Sequence, residues 1–278
     1  MKASTLLPVF LVASLLAACD TIEEGPVDDL AVIEAFLYAG EPIDDIRVTA
    51  TLPFGSPDTV APPINDALIR LFKNGQGYAL TPQGTDGTYH YAGTDLTVEA
   101  GDAFRLEMDY GGVTATAETV VPAPPLDVQA DAETLEAPTI GIGGGPPGGG
   151  PGGGFMNTPL TITWSNPDDV YHYVVIEGLE EDAEFILPDF IRTRIGRFRI
   201  VTEPSRDDFY EIRLILLEQL GSHEARIYRV NPEYALLYEN QVQDSRDLNE
   251  PPDNVDGALG IFTAFNSTRV PFDVVRAE

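Results

Sequence analysis

The chain has one cysteine in 278 residues, which excludes a disulfide within the chain because a single thiol has no partner. Cations are scarce as well. Lys2 and Lys73 are the only lysines, and Lys and Arg together number 16 against 45 Asp and Glu, which gives a formal net charge of −29. Proteins bind a phosphate backbone by neutralising it with cations, so this balance excludes nucleic acid as a partner. An acid-rich, lysine-poor surface suits a salt-rich medium, where self-repulsion is screened.

Histidine is equally rare, and this limits the chemistry that can be assigned. His90, His172 and His223 stand in no metal-binding spacing, and the neighbours Ser222 and His223 would point to opposite faces of a strand. None of the Asp-Asp pairs fits a calcium loop, so we interpret them as solvated surface acids. The sequence predicts no catalytic residue, metal site or cofactor. Paired carboxylates of a glycoside hydrolase remain an open alternative, because 45 acids include chance pairs whose separation the sequence does not show.

No apolar run reaches the roughly 20 residues that a transmembrane helix needs. The longest run, Leu6 to Leu16, follows Lys2 and precedes small residues, which predicts a secretory signal peptide over residues 1–18. Leu16-Ala17-Ala18-Cys19 resembles a bacterial lipobox, which makes Cys19 the predicted lipid attachment site and the membrane a predicted partner. The alternative is an ordinary signal peptide with a chance cysteine near the cut.

Composition divides the rest of the chain into segments. Residues 19–29 form an acidic tether, and its acids look like the export signal of lipoproteins that are displayed on the cell surface. Residues 30–125 are predicted as an N-terminal β-sandwich and residues 157–278 as a C-terminal β-sandwich with a helix near 232–243. Residues 126–156, with the run GIGGGPPGGGPGGG, are predicted as a Gly/Pro-rich linker.

Period-two alternation supports a mainly β fold of two antiparallel, immunoglobulin-like sandwiches. The patterns IRVTATL (46–52) and FRLEMDY (104–110) predict half-buried strands, and residues 67–81 predict a hairpin around Asn74-Gly75. Further strands are predicted at 110–118, 160–164, 171–178, 198–202, 209–218 and 224–230, with paired closing strands at 259–265 and 269–275. Asn231, Pro232 and Glu233 predict the start of the helix.

Alternation also brings tyrosines together in pairs. Tyr89 and Tyr91 fall on one face of a strand, as do Tyr171 and Tyr173. These four residues are candidates for a platform on which a ligand stacks. Such pairs more often pack in a core or across strands, so the two interpretations stay open together.

Several of these segments also carry a family resemblance. The lipobox, the pattern from Val98 to Pro122, the Tyr-rich helix and the closing stretch around Gly257 to Phe262 look like the Bacteroidota lipoprotein family known as domain of unknown function 4249. The resemblance implies an outer-membrane or surface lipoprotein that acts beside TonB-dependent nutrient receptors, with no defined catalytic residues.

Two non-enzymatic hypotheses follow from the sequence and this resemblance. In the first, the protein is an accessory or docking subunit of a TonB-dependent outer-membrane transporter. In the second, it is an independent surface module that binds a glycan or a peptide. The family analogy favours the first hypothesis.

Overall fold

In the computed structural model, the described residues are 30–52, 55–137, 159–186, 198–239 and 253–277. Across these ranges the chain is mainly β with one α-helix, as predicted. The predicted signal peptide, the acidic tether with Cys19 and the glycine-rich run 141–154 lie outside the described residues.

The strands are short, with one exception near the C-terminus. Those of the first half are β1 (Ala31–Tyr38), β2 (Asp45–Ala50), β3 (Leu68–Lys73), β4 (Gln76–Ala79), β5 (Thr81–Gln83), β6 (Thr88–His90), β7 (Ala103–Tyr110) and β8 (Val113–Val120). They are followed by β9 (Leu126–Ala130), β10 (Thr134–Ala137), β11 (Leu160–Ser165), β12 (His172–Gly178), β13 (Arg199–Val201), β14 (Phe209–Ile212), a 3₁₀ turn (Leu214–Leu216), β15 (Gly221–Val230), helix α1 (Pro232–Glu239), β16 (Val255–Asp256) and β17 (Leu259–Arg276).

Local turn chemistry explains the hairpins. Asn74 and Gly75 join β3 to β4 with φ angles of 53° and 80°, the left-handed conformation that a tight two-residue hairpin requires. Gly111 and Gly112 join β7 to β8 in the same way. The predicted hairpin turn at Asn74-Gly75 is therefore confirmed.

The strands form three sheets. The largest has nine strands in the order β13-β12-β15-β17-β1-β2-β6-β5, with β10 paired to β17 beside this path. A five-stranded sheet has the order β16-β8-β7-β3-β4, and a three-stranded sheet has the order β14-β11-β9. Most pairings are antiparallel, but β1 and β10 run parallel to β17.

Strand β17 corrects the prediction of two paired closing strands. It is one continuous strand of 18 residues. Its first part, Leu259 to Phe265, pairs with β1, and its second part, Phe265 to Val274, pairs with β15. Residues 259–265 and 269–275 therefore do not pair with each other, and the segment between them, which resembles a turn, is extended.

Pro271 is tolerated inside β17 because of its position along the strand. Asp273 donates its N–H to the carbonyl of Glu133, the residue before β10, so the nitrogen of Pro271, two residues earlier, points to the same edge. That edge is paired with β1 only up to Phe265 and with β10 only from Asp273. The missing N–H of proline thus falls in a gap and costs no ladder hydrogen bond.

Two hydrophobic cores lie on one face of the nine-stranded sheet. The first core, under the five-stranded sheet, contains Ile33, Leu71 and Leu106 together with Phe262 of β17. The second core, under the three-stranded sheet, contains Ile162, Val174 and Ile227 together with Phe272 of β17. Phe262 and Phe272 are ten residues apart, and alternation places them on the same side of the strand.

The two cores correct the predicted domain boundaries. Val255 and Phe262 belong to the first core although they lie in the segment 157–278 that was predicted as a separate C-terminal sandwich. The two halves are therefore not separate sandwiches, because they share the nine-stranded sheet, in which β17 of the C-terminal segment pairs with β1 of the N-terminal segment.

The predicted linker also begins too early. Residues 126–130 form β9, which pairs with β11, and residues 134–137 form β10, which pairs with β17. Leu135 and Ala137 are buried in the second core. A strand of four or five residues next to Pro- and Gly-rich sequence gives little periodicity, so these two were missed.

Candidate functional site

The second face of the nine-stranded sheet carries a cluster of aromatic side chains where the two halves meet. We call it the junction cluster. Its buried and half-buried members come from β1, β12 and the turn before it, β15, α1 and β17, and they are Phe36, Tyr38, Tyr171, Tyr173, Val175, Tyr228, Val230, Tyr234 and Phe265. Strand alternation puts them opposite the two cores, because their sequence neighbours fill those cores.

Ring contacts hold this cluster together. Tyr173 and Tyr228 are register partners in β12 and β15, and their rings are stacked with centroids 4.7 Å apart and planes 5° apart. Phe265 meets the edge of Tyr234 at 4.8 Å, and it also contacts Tyr173 and Tyr38. Offset and edge-to-face pairs of this kind contribute about 0.5–1.5 kcal/mol each beyond the area they bury.

Helix α1 closes one side of the cluster. It begins at Pro232 as predicted, and the side chain of Asn231, the residue before it, hydrogen-bonds to the first half. Its Nδ2 donates to Thr119 Oγ1 at 3.0 Å and to the carbonyl of Val120 at 3.0 Å. Glu233 Oε1 accepts from Thr119 Oγ1 and from Thr263 Oγ1. The helix therefore ties β8, β17 and the junction cluster together.

Beside the cluster is an open cleft of about 420 Å³, which we call the junction cleft. Its apolar and aromatic wall is Tyr38, Tyr173, Val175 and Tyr228. Its charged lining consists of five carboxylates and two guanidinium groups, from Glu41, Asp44, Asp45, Glu177, Glu224, Arg199 and Arg226. The volume falls within the range of small-molecule sites, about 300–1,000 Å³.

The arginines of the cleft are already paired with acids of the protein. Arg226 Nη1 lies 2.8 Å from Glu41 Oε1, and its Nε lies 3.6 Å from Glu224 Oε1. The ion pair of Arg226 with Glu41 joins the first half to β15 of the second half. The Arg226 side chain is only 19% exposed, so the pair is partly shielded from solvent. Arg226 Nη1 also donates to the Tyr228 hydroxyl at 2.9 Å. Arg199 pairs with Glu177 at 2.9 Å.

Asp45 and Tyr38 form the other polar contact of the cleft. The Tyr38 hydroxyl donates to Asp45 Oδ2 at 3.2 Å. Partial burial raises the pKa of the Asp45 carboxyl above its usual value, the hydrogen bond from Tyr38 acts the other way, and the neighbouring Asp44 adds to the increase. Burial, followed by the nearby Asp45 charge, raises the pKa of the Tyr38 phenol. The phenol therefore stays protonated and is a fixed hydrogen-bond donor.

The structure separates the four tyrosines that the sequence proposes as a platform. Tyr89 is fully buried in the first core, where its hydroxyl donates to the carbonyl of Ile64 and accepts from the N–H of Ala67. Tyr91 packs against that core, and its hydroxyl donates to Asp95 at 2.6 Å. Neither residue lines the junction cleft.

The other predicted pair lies at the junction. Tyr173 lines the cleft, and Tyr171 packs at the edge of the cluster beneath the guanidinium of Arg206, 4.5 Å from its ring centroid. Sequence reasoning missed Tyr38, Tyr228 and Arg226. The only signal for them was the alternation in AVIEAFLY and EARIYRV, which shows a second, aromatic face but not what it meets.

Two of the histidines are buried in the second half and do not face the cleft. His172 lies 5.5 Å from Trp164 between ring centroids, and His223 stacks on Phe272 at 5.2 Å. Burial lowers the pKa of His172 to about 4 and also lowers that of His223, so both rings are neutral near pH 7. Ser222 donates to Asp273, away from His223. Among the described residues, no group of three or more His, Cys, Asp or Glu is placed to hold a metal ion.

A second cleft, of about 880 Å³, lies at the end of the first half where the described chain begins. Leu30, Leu68 and Val113 line it, and these side chains are 43%, 63% and 53% exposed. We call these three residues the tether-end patch, because Leu30 follows directly on the predicted tether. Within the described part of the chain, no helix is long and apolar enough to cross a membrane.

Comparison with known proteins gives one family match. A family model described as "Domain of unknown function (DUF4249)" matches residues 19–270. No curated protein matches the chain. A solved segment of two fibronectin type-III domains from chicken tenascin aligns with 88% of this chain and 99% of its own length, at 9% sequence identity and a TM-score of 0.23. A score this low adds nothing to the fold described above.

Proposed function

This chain belongs to the DUF4249 family, and we propose that it is a lipid-anchored, non-enzymatic protein of the outer-membrane surface that binds a ligand in the junction cleft beside a TonB-dependent transporter. The observation that carries the proposal is the cleft itself. It is open, lies where the two halves share one sheet, and combines an aromatic wall with fixed polar groups. Binding sites commonly lie at such a position between two units of structure.

The rigid construction around the cleft supports binding. Arg226 with Glu41, and Asn231 with Thr119, join the two halves on either side of the junction cluster. A site whose walls are held in place loses less conformational entropy when a ligand arrives. The sequence favoured a docking subunit without its own ligand, and the cleft moves our proposal toward a subunit that docks and binds.

A non-enzymatic role agrees with the surroundings of the titratable groups. His172 and His223 are enclosed in the second core, away from the cleft, and the cleft arginines are each paired with carboxylates. The functional groups that remain in the cleft are tyrosine hydroxyls and carboxylates, which can bind and orient a polar ligand.

The tether-end patch favours an accessory role over a free-standing module. Three exposed apolar side chains line one cleft, and exposed apolar surface of this kind is a candidate protein interface. Cys19 is eleven residues before Leu30, and a chain of that length reaches at most about 40 Å. A lipid on Cys19 would therefore hold the patch close to the membrane, where the exposed part of a transporter barrel would be within reach.

Crosslinking in cells tests the accessory role. A C-terminally tagged full-length chain is crosslinked, solubilised from membranes and purified, beside Cys19→Ala, Leu68→Asp and the matched control Val60→Asp, whose side chain is 78% exposed outside the patch. We expect a TonB-dependent barrel to co-purify with the wild type and with Val60→Asp, and to be lost with the other two variants. A wild type that purifies without a barrel would leave the independent binding module as the function.

Ligand binding is tested separately with the detergent-solubilised full chain on glycan and peptide arrays. Asp44→Arg places a large cation at the cleft, and Asp58→Arg makes the same change at an exposed site elsewhere. A ligand of the cleft should bind the wild type and Asp58→Arg but not Asp44→Arg. If no glycan or peptide shows this pattern, the binding role is wrong.

A further inference from the structure

The charges of the junction cleft differ in how far the protein itself compensates them. Five carboxylates and two guanidinium groups line it, so the lining carries a net charge of −3. Glu41 and Glu224 each contact Arg226, and Arg269 approaches the same two acids at 3.9 and 3.6 Å. Glu177 pairs with Arg199. The acids on this side of the cleft are therefore neutralised.

Asp44 and Asp45 are the exception. They are consecutive, exposed residues of the lining, and among the described residues neither has an ion pair with Lys or Arg within 4.0 Å. The Tyr38 hydroxyl satisfies one oxygen of Asp45, but a neutral donor brings no positive charge. Two adjacent carboxylates without a cationic partner leave an uncompensated negative potential at the rim of the cleft, and because both residues are exposed, salt in the solvent screens it.

From this arrangement we infer that the junction cleft takes an organic cation, an ammonium or guanidinium group, with its charge at Asp44 and Asp45 and its apolar part against the half-buried Tyr38. This inference rests on the proposed binding role of the cleft and names the class of its ligand. A guanidinium or ammonium is attracted both by a carboxylate and by the face of an aromatic ring. A basic side chain of a peptide or an amino group on a sugar would bring such a charge.

Other ligand classes fit the cleft less well. An anion would meet five carboxylates, and both guanidinium groups of the lining are already paired. A calcium ion takes six to eight oxygen ligands, and the two rim carboxylates are too few to supply them. A neutral sugar could use the tyrosines but would leave the charge of Asp44 and Asp45 as it is.

The test compares a cation with its neutral isostere. N-acetyl-argininamide and N-acetyl-citrullinamide have nearly the same shape, but only the first is charged. Their dissociation constants are measured by calorimetry on the detergent-solubilised full chain at low and high salt. We expect at least tenfold tighter binding of the arginine probe, which equals about 1.4 kcal/mol, and a smaller difference at high salt.

Three variants locate the binding. Asp45→Asn should weaken binding of the arginine probe about tenfold, Asp44→Asn should weaken it less, and Asp58→Asn, which changes the net charge equally at a distant exposed site, should leave it within about twofold. An equal loss in all three variants would show attraction to the acidic surface as a whole and would overturn the inference.

Two further results would also overturn the inference of an organic cation, and they can be distinguished from a failure of the proposed function. Equal affinity for the arginine and citrulline probes, or binding of calcium chloride alone at Asp45 with no binding of the arginine probe, would refute an organic cation. If an uncharged saccharide then binds and Asp44→Arg abolishes its binding, the cleft is still a binding site and only the ligand class is wrong. If nothing binds on the arrays either, the proposed binding role fails as a whole.

Discussion

Tyr38 and Phe265 are register partners in the parallel pairing of β1 and β17, and their rings stack with centroids 5.0 Å apart and planes 17° apart. Phe265 is also the residue at which β17 leaves β1 and pairs with β15. One side chain therefore stands where the first half, the second half and the junction cleft meet. The cleft depends on a contact between residues more than 220 positions apart.

Phe265→Ala should lower the free energy of unfolding by about 3–5 kcal/mol. The side chain is 1% exposed, and its ring lies beside those of Phe36, Tyr38 and Tyr234, so truncation opens a cavity in the centre of the junction cluster. Urea unfolding followed by tryptophan fluorescence measures the loss. Phe265→Leu keeps much of the side-chain volume and should lower the free energy of unfolding clearly less. Equal losses in the two variants would mean that packing at this position does not hold the halves together.

Gly260→Ala tests the pairing of β1 with β17 directly. Gly260 has a φ of 121°, and an added Cβ would lie only 2.0 Å from the carbonyl oxygen of Ile33, its register partner in β1. Because that oxygen belongs to the backbone, the strands must separate, and we expect a loss of at least about 3 kcal/mol in unfolding free energy.

Gly40→Ala is the matched control for this change. Gly40 also has a positive φ, 77°, but nothing lies within 4 Å of an added Cβ. The loss of unfolding free energy in Gly40→Ala should be limited to the strain of a non-glycine residue in that conformation, about 1 kcal/mol. Equal losses in the two variants would show that backbone strain, and not the contact with Ile33, determines the effect at Gly260.

Local features of this fold could be predicted from the sequence, whereas long-range pairings could not. Asn74-Gly75 identifies a hairpin because those two residues adopt the required dihedral angles with little strain. The continuity of β17 was missed because the polar stretch Asn266-Ser267-Thr268 interrupts its apolar alternation. In the structure Asn266 Nδ2 donates to the carbonyl of Pro122 and Thr268 Oγ1 to that of Pro125, contacts with residues about 140 positions away.

The same contrast between local features and long-range pairings applies to the candidate site. Tyr173 could be proposed from alternation within one short segment, but Tyr89, proposed on the same grounds, is a core residue. Alternation shows that a strand has two different faces and does not show which face a second sheet will cover. The partners that turn Tyr173 into a cleft residue, Tyr38 and Arg226, come from other strands whose order the sequence does not specify.

Stability should fall as the pH is lowered from about 6.5 toward 4. In the unfolded chain a histidine has a pKa near 6.5. Burial lowers the pKa of folded His172 to about 4 and lowers that of His223 as well. In this pH window the unfolded chain therefore binds more protons than the folded protein. This contribution is fully present above pH 6.5, and for His172 it should have fallen by about 2 kcal/mol at pH 5.

Urea unfolding at pH 7.5 and pH 5.0 measures this dependence, with the double variant His172→Gln/His223→Gln as the comparison. The double variant is expected to be less stable at pH 7.5 because both rings fill space in or beside the second core. Its stability should nevertheless change less between the two pH values than that of the wild type. The same change in both proteins would assign the acid sensitivity to other groups.

Glu233→Ala should weaken the connection between α1 and the first half. Glu233 Oε1 accepts hydrogen bonds from Thr263 Oγ1 at 3.0 Å and from Thr119 Oγ1 at 3.4 Å, and both threonines are buried. Alanine favours helix more than glutamate does, but the substitution also removes a negative charge from the first turn of α1, which contributes about 0.3–1 kcal/mol. A larger loss of stability must come from the two hydroxyls left without their acceptor. We expect a loss of about 1–3 kcal/mol and faster amide exchange in α1 and β8.

Glu233→Gln retains an acceptor oxygen at the same place and should lose less than half as much. If Glu233→Ala were as stable as the wild type, the helix would be held by its buried side chains and by the hydrogen bonds of Asn231, and the rigidity that we assign to the junction cleft would have to rest on Asn231 with Thr119 and on Arg226 with Glu41.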